Sequence, residues 1–108
     1  MILKNKVAII TGAAKGIGKA TALRFAKEGA TIIIADKDEK NGKKLVKEIA
    51  KLKSKSYFYK INIEKKSEIE QMISFTLKKF KKLNIMIANA GICPFEEFLK
   101  IGENLFDK

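Results

Sequence analysis

The sequence holds no histidine and no tryptophan, and only one cysteine (Cys93), one proline (Pro94) and one arginine (Arg24) in 108 residues. Each scarcity excludes something. Without histidine, the side chain that most often serves as general acid or base is missing, and no metal site is expected. A lone cysteine cannot close an internal disulfide, which fits a reducing cytoplasm. No apolar run approaches the roughly 20 residues that span a bilayer. The opening stretch, MILKNKVAII, leads straight into an apolar strand without a small-residue cleavage site, so no signal peptide is expected. There is no repeat, low-complexity tract or linker, and the length suits one domain with a modest core.

Acidic residues are also few. Twelve of them face 23 basic ones, for a formal net charge of +11. Such a balance can mark a nucleic-acid surface. Here almost every base is lysine, whereas bidentate reading of phosphates and guanines is arginine's work. The lysine pairs 43–44, 65–66, 78–79 and 81–82 are spread over separate helical segments. They read as solvated helix faces, and no nucleic-acid or membrane partner is expected. Apolar residues make up 46% of the chain and charged ones 32%, the balance of a globular protein.

The pattern alternates between strand and helix. KVAIIT (6–11) reads as a buried strand, ATIIIAD (30–36) as a strand rich in β-branched residues, and SYFYKIN (56–62) and LNIMIAN (83–89) as the third and fourth strands. Helices are expected over 16–28, with Gly29 as its left-handed stop, and over 38–53, with Asp38 as N-cap and Leu45, Val46, Ile49 and Leu52 on one side. A third helix carries Ile69, Met72, Ile73, Thr76, Leu77 and Phe80 at helical intervals, and Ser67 with Glu70 makes a capping-box spacing at its start. Pro94 ends strand pairing after the fourth strand, and 96–108 reads as the start of another helical region. The order β-α-β-α-β-α-β implies an α/β fold: a doubly wound, Rossmann-like parallel sheet, here partial, with strand order 3-2-1-4. Ligands of such sheets sit at the carboxyl ends of the strands.

At the end of the first strand stands TGAAKGIG, residues 11–18. A short turn between a strand and a helix aims free backbone N–H groups at one point, where the helix dipole adds positive charge. A pyrophosphate fits there if no Cβ intrudes. Gly12 makes the turn, Gly16 lets the backbone approach, and Gly18 lets the helix pack on the sheet. The P-loop spacing is excluded, because Ala13 stands where it needs glycine and Ala20 where it needs a hydroxyl. A glycine turn can also bind nothing. Asp36 argues for a ligand: it ends the second strand, 18 residues after Gly18, where a carboxylate can accept from the hydroxyls of an adenosine ribose.

These residues, with NAG at 89–91 and FEEFLKIGENLFDK at 95–108, resemble the N-terminal part of the short-chain dehydrogenase/reductase family. The resemblance runs in order and spacing through essentially the whole chain. It implies an oxidoreductase that interconverts an alcohol and a carbonyl by hydride transfer with NAD or NADP, on a small substrate that includes sugars or polyols among its candidates, in a parent that is a homo-oligomer. It places Gly12, Lys15, Gly16, Ile17 and Gly18 around the pyrophosphate and adenosine, and Asp36 on the ribose hydroxyls. It places Asn62 and Ile63 at the adenine edge, and Asn89, Ala90 and Gly91 along the ribose and the approach to nicotinamide. Asp36 implies NAD in preference to NADP. Asn62 departs from the family's aspartate, though its amide oxygen can still accept from the adenine amino group, and Ala88 replaces the first asparagine of the N-N-A-G hallmark.

The family's catalytic serine and Tyr-x-x-x-Lys pair have no counterpart here. Tyr57 is followed four residues on by Ile61, and Tyr59 by Ile63. Residues 1–108 are therefore expected to be a single partial dinucleotide-binding domain, the cofactor half of a longer enzyme, with no catalytic residue and no activity alone. The competing expectation is a non-catalytic nucleotide-binding or interaction module complete at this length.

Overall fold

The computed structural model describes residues 2–62 and 65–88. Its elements alternate along the chain: β1 (Val7–Thr11), α1 (Gly16–Lys27), β2 (Thr31–Asp36), α2 (Glu39–Lys51), β3 (Ser56–Lys60), α3 (Lys66–Phe80) and β4 (Ile85–Ala88). The strands form one parallel sheet in the order β3-β2-β1-β4, as the alternation requires. Val7 pairs with Thr31, and Ala8 with both Ile32 and Ile85.

Burial follows from that order. β1 is buried along its whole length and β2 through its middle four residues, because both lie inside the sheet and are covered on both faces. β4, with a neighbour on one side only among the described residues, is half-buried throughout. Alternate side chains supply two cores. Ala8, Ile10, Ile32 and Ile34 pack with Ala22 and Ala26 of α1 and Leu45 and Ile49 of α2. Ile9, Ile33 and Ala35 face the other way, onto Ile69, Met72 and Ile73 of α3. The buried stripe of α1 is Gly18, Ala22 and Ala26, spaced by four, and small residues there let the helix lie close to the sheet. On the far face Tyr57 meets Phe80 and Tyr59 meets Phe75, each pair with ring centroids 5.3 Å apart. Such tilted pairs add about 0.5–1.5 kcal/mol each beyond burial.

Helix ends differ from the sequence expectation at the start of α3 and at the end of α2. Gly29 takes φ +96° after α1, and the Asp38 side chain accepts from the Asn41 N–H at the start of α2, both as expected. At α3, however, Ser67 does not cap. The helix begins at Lys66, so Ser67 falls inside the first turn, and it is Glu68 that reaches back to accept from the Asn62 N–H at 3.0 Å. Leu52 lies just past the end of α2 and is 36% exposed, outside the stripe formed by Leu45 and Ile49.

β4 is tied to β1 before its first regular pair. The Val7 N–H donates to Asn84 Oδ1, and the Asn84 N–H donates to the Val7 carbonyl, both at 2.9 Å. At the other end the Thr11 hydroxyl donates to the Ile87 carbonyl at 3.4 Å.

Candidate functional site

The glycine loop leaves β1 at the carboxyl edge of the sheet. Gly12 sits at φ +66°, a left-handed conformation that glycine adopts without steric cost, and its N–H donates to the Ala35 carbonyl at 2.8 Å. This turn folds the chain back over the end of β2. Gly18 is held by packing. A Cβ there would lie 2.2 Å from the Gly12 carbonyl oxygen and 2.8 Å from its carbon. Loop and helix are in backbone contact, so no other residue fits.

Gly16 has the opposite surroundings. It takes φ +64°, yet a Cβ built on it would meet nothing within 4 Å. The space over Gly16 is open, directly at the N-terminus of α1. That N-terminus is bare in a second sense. Lys15 stands at the N-cap in extended conformation with no side-chain cap, and the first turn contains no acidic residue. The orphan N–H groups of the first turn are left for another acceptor. Ile17, on this first turn, is 79% exposed.

Asp36 ends β2 beside the loop. Its Oδ2 accepts from the Ala14 N–H at 3.1 Å and its Oδ1 from the Asp38 N–H at 3.0 Å. One carboxylate thus fixes both the glycine loop and the entry to α2, and each oxygen keeps a further lone pair for a hydroxyl. Two residues on, the Asp38 oxygens accept from the Asn41 N–H at 3.1 Å and the Asn41 Nδ2 at 2.7 Å. These bonds, with attraction from Lys15 and Lys40, hold the Asp38 carboxyl below its ordinary value.

Gly12, Lys15, Gly16, Ile17, Gly18 and Asp36 therefore come together at one end of the sheet. Asn62 is exposed just past the end of β3 on the same edge. Ile63, Asn89, Ala90 and Gly91 lie outside the described residues. The double acceptance by Asp36 was not foreseen from sequence: the Asp-x-Asp spacing at 36 and 38, ahead of a helix, signals the bond from the Asp38 N–H, whereas nothing local signals the one from Ala14. Among the described residues no group of His, Cys, Asp or Glu could hold a metal ion, and no helix is long and apolar enough to cross a membrane.

This arrangement has known counterparts. The family model for short chain dehydrogenases matches residues 6–108, and the chain belongs to that family. It is 42% identical over 107 residues to the 3-oxoacyl-[acyl-carrier-protein] reductase FabG of Thermotoga maritima, covering 99% of this chain and 44% of the relative. It is 36% identical to the L-rhamnose 1-dehydrogenase (NADP(+)) of Thermoplasma acidophilum, over 97% of this chain and 42% of that protein. A solved short chain dehydrogenase from Mycobacterium paratuberculosis, bound to NAD, superposes with a TM-score of 0.79 at 25% identity, over 86% of this chain and 39% of that one. The chain spans less than half the length of each.

Proposed function

We propose that the chain is the dinucleotide-binding half of an oxidoreductase that interconverts an alcohol and a carbonyl, taking NAD in preference to NADP. The observation that carries this reading is the bare N-terminus of α1 under the open space at Gly16, with Asp36 fixed beside it. A diphosphate fits that cradle, because the free N–H groups and the helix dipole favour an anion and no Cβ obstructs it. The nicotinamide, when bound, supplies the hydride chemistry. The chain's own residues bind and orient: Gly12, Gly16 and Gly18 shape the cradle, Lys15 and Ile17 flank it, and Asp36 accepts from the adenosine ribose. Asn62 and Ile63 serve the adenine, and Asn89, Ala90 and Gly91 the ribose and the approach to nicotinamide. The parent acts on a small alcohol or carbonyl compound, sugars and polyols among the candidates, in the cytoplasm and as a homo-oligomer.

The 108-residue chain should bind NADH but show no turnover with sugars, polyols or secondary alcohols, since neither tyrosine has a lysine four residues on. Calorimetric titration of NADH tests the first part. Absence of binding at millimolar cofactor would remove the reading. Titration of NADPH tests the preference. A 2′-phosphate about 5 Å from Asp36 meets a repulsion of roughly 3 kcal/mol per unit charge at an effective dielectric near 20. Lys15 and Lys37 offset part of it, leaving a preference of about tenfold. Asp36→Ala should close the gap chiefly by tightening NADPH. Equal binding of both cofactors by the unmodified chain would refute the preference.

A further inference from the structure

We propose that Glu68 of α3 is a positioning residue for the adenine end of this site, setting Asn62 against the cofactor by holding its main chain. The proposal rests on the reading of Asn62 as the adenine contact of a dinucleotide site.

Asn62 lies past Lys60, the last residue of β3, and is exposed, so pairing in the sheet does not fix it. Three hydrogen bonds hold its stretch of main chain. Buried Ile61 donates its N–H to the Asp36 carbonyl at 3.1 Å, which ties the stretch to the residue read as the ribose acceptor. The Asn62 carbonyl accepts from the Lys65 N–H at 3.0 Å, and the Asn62 N–H donates to Glu68 Oε1 at 3.0 Å. The last bond brings in a rigid body, because Glu68 adjoins Ile69, which is buried in one core with Ile9, Ile33 and Ile61.

Helix capping does not account for this reach. Lys65 is the N-cap of α3, and a glutamate at the third helical position ordinarily returns to the N–H of the cap residue. Here that N–H donates to the Asn62 carbonyl, and Glu68 passes over it to a residue further upstream. The bond is charge-assisted, and it is made to main chain rather than side chain, so it sets where the Asn62 side chain starts. An amide that accepts from an adenine amino group must present its oxygen, not its nitrogen. A main chain fixed in advance spares the cofactor the cost of ordering it. The other Glu68 oxygen lies 3.9 Å from Lys65 Nζ, a largely exposed pair that contributes little.

The test is calorimetric titration of NADH, beside thermal melts, for the unmodified 108-residue chain, Glu68→Ala, Glu68→Gln, Asn62→Ala and the double variant of Asn62→Ala with Glu68→Ala. Glu68→Ala should weaken NADH about fivefold, the scale of one hydrogen bond to a charged group. Glu68→Gln keeps an acceptor oxygen and should stay within about twofold. Once the Asn62 side chain is gone, losing Glu68 should change NADH affinity by less than about twofold, because nothing remains to be positioned. A merely structural Glu68 would lower the melting temperature and weaken NADH equally in both backgrounds. That outcome overturns the proposal, as does unchanged affinity in Glu68→Ala. If Glu68→Ala unfolds, Glu68→Asp keeps the charge at the start of α3 but is one methylene short of the reach, and it is read in the same way. Failure of the unmodified chain to bind NADH overturns the dinucleotide reading itself. NADH binding that Asn62→Ala leaves unchanged overturns the adenine role of Asn62, and this inference with it. Binding weakened by Asn62→Ala but indifferent to residue 68 overturns this inference alone.

Discussion

Two helices start side by side on the same face of the sheet, and they start in opposite ways. α2 opens with the Asp38 cap and Glu39 in its first turn, so its N-terminal N–H groups and dipole are answered from within the chain. α1 opens with a lysine at the N-cap, no side-chain cap and no acid in its first turn. The two are joined further along by the Lys19–Glu48 ion pair at 3.4 Å, so they share a scaffold. α2 is complete by itself, whereas the first turn of α1 has no side-chain cap and no acid, which is the feature the dinucleotide proposal rests on. A helix N-terminus that a sequence could easily have capped, and did not, is informative because caps are simple to supply.

The largest effect that should sharpen this contrast lies at the glycines. Gly18 of α1 and Gly42 of α2 each leave no room for a Cβ, but the obstacles differ. Gly18 faces the Gly12 backbone at 2.2 Å, whereas Gly42 faces the Phe58 ring at 2.2 Å. Backbone cannot step aside without dismantling the turn. Gly18→Ala should cost about 3 kcal/mol, at the upper end of overpacking penalties, and abolish NADH binding. Phe58 is half-buried on a sheet edge and can turn. Gly42→Ala should cost about 1 kcal/mol or less, since alanine's helix propensity offsets part of the strain, and leave NADH binding within twofold. Thermal melts and NADH titrations of the pair measure both. Equal penalties would mean that the loop tolerates movement.

The next test abolishes the contrast. Lys15→Asp gives α1 the cap that α2 has. It should stabilise the chain by about 0.5–1 kcal/mol while weakening NADH at least tenfold, because a carboxylate then occupies the anion's place. A variant that is more stable yet binds NADH unchanged would show that the first turn of α1 does not hold the diphosphate.

The smallest effect concerns α2 alone. Its cap is a carboxylate held below the ordinary aspartate value of 3.8 by hydrogen bonds from Asn41. A depressed folded pKa means that the cap's stabilisation is fully present above the unfolded value and is lost as pH falls through the lower, folded one. Asp38→Ala should therefore melt at a slightly lower temperature than the unmodified chain at neutral pH, with the difference shrinking once the pH drops below about 3.8. A difference that persists undiminished at pH 2 would assign the effect to something other than the charged cap.

Most of this framework was legible from local pattern. Seven elements, the strand order and the three loop glycines follow from β-branched runs, helical spacing and turn chemistry, because those features act over a few residues. Element ends were less legible. At α3 a Ser-x-x-Glu match named Ser67 and Glu70, but packing of Ile69 and Met72 on the sheet starts the helix earlier and hands the reach-back to Glu68. The structural role of Asp36 was not visible, because its grip on Ala14 spans 22 residues and exists only once the sheet is formed. Asn84 was invisible for the same reason, since nothing near it in sequence marks a partner at Val7.

That Asn84 clasp has a consequence for how the chain assembles. Val7 finds Thr31 after a short crossover, whereas Asn84 lies 77 residues from Val7. Closing the longer loop costs about 1 kcal/mol more in chain entropy, and contacts so distant form slowly. β3, β2 and β1 can therefore associate while β4 is still being synthesised, leaving one side of β1 waiting. When β4 arrives, its four residues carry little pairing of their own. The side-chain amide and main chain of Asn84 engage Val7 at both its N–H and its carbonyl, which admits one register and rejects a slip in either direction. A single asparagine thus acts as the latch that aligns β4, and its loss should appear as a slower or misregistered docking of that strand on β1.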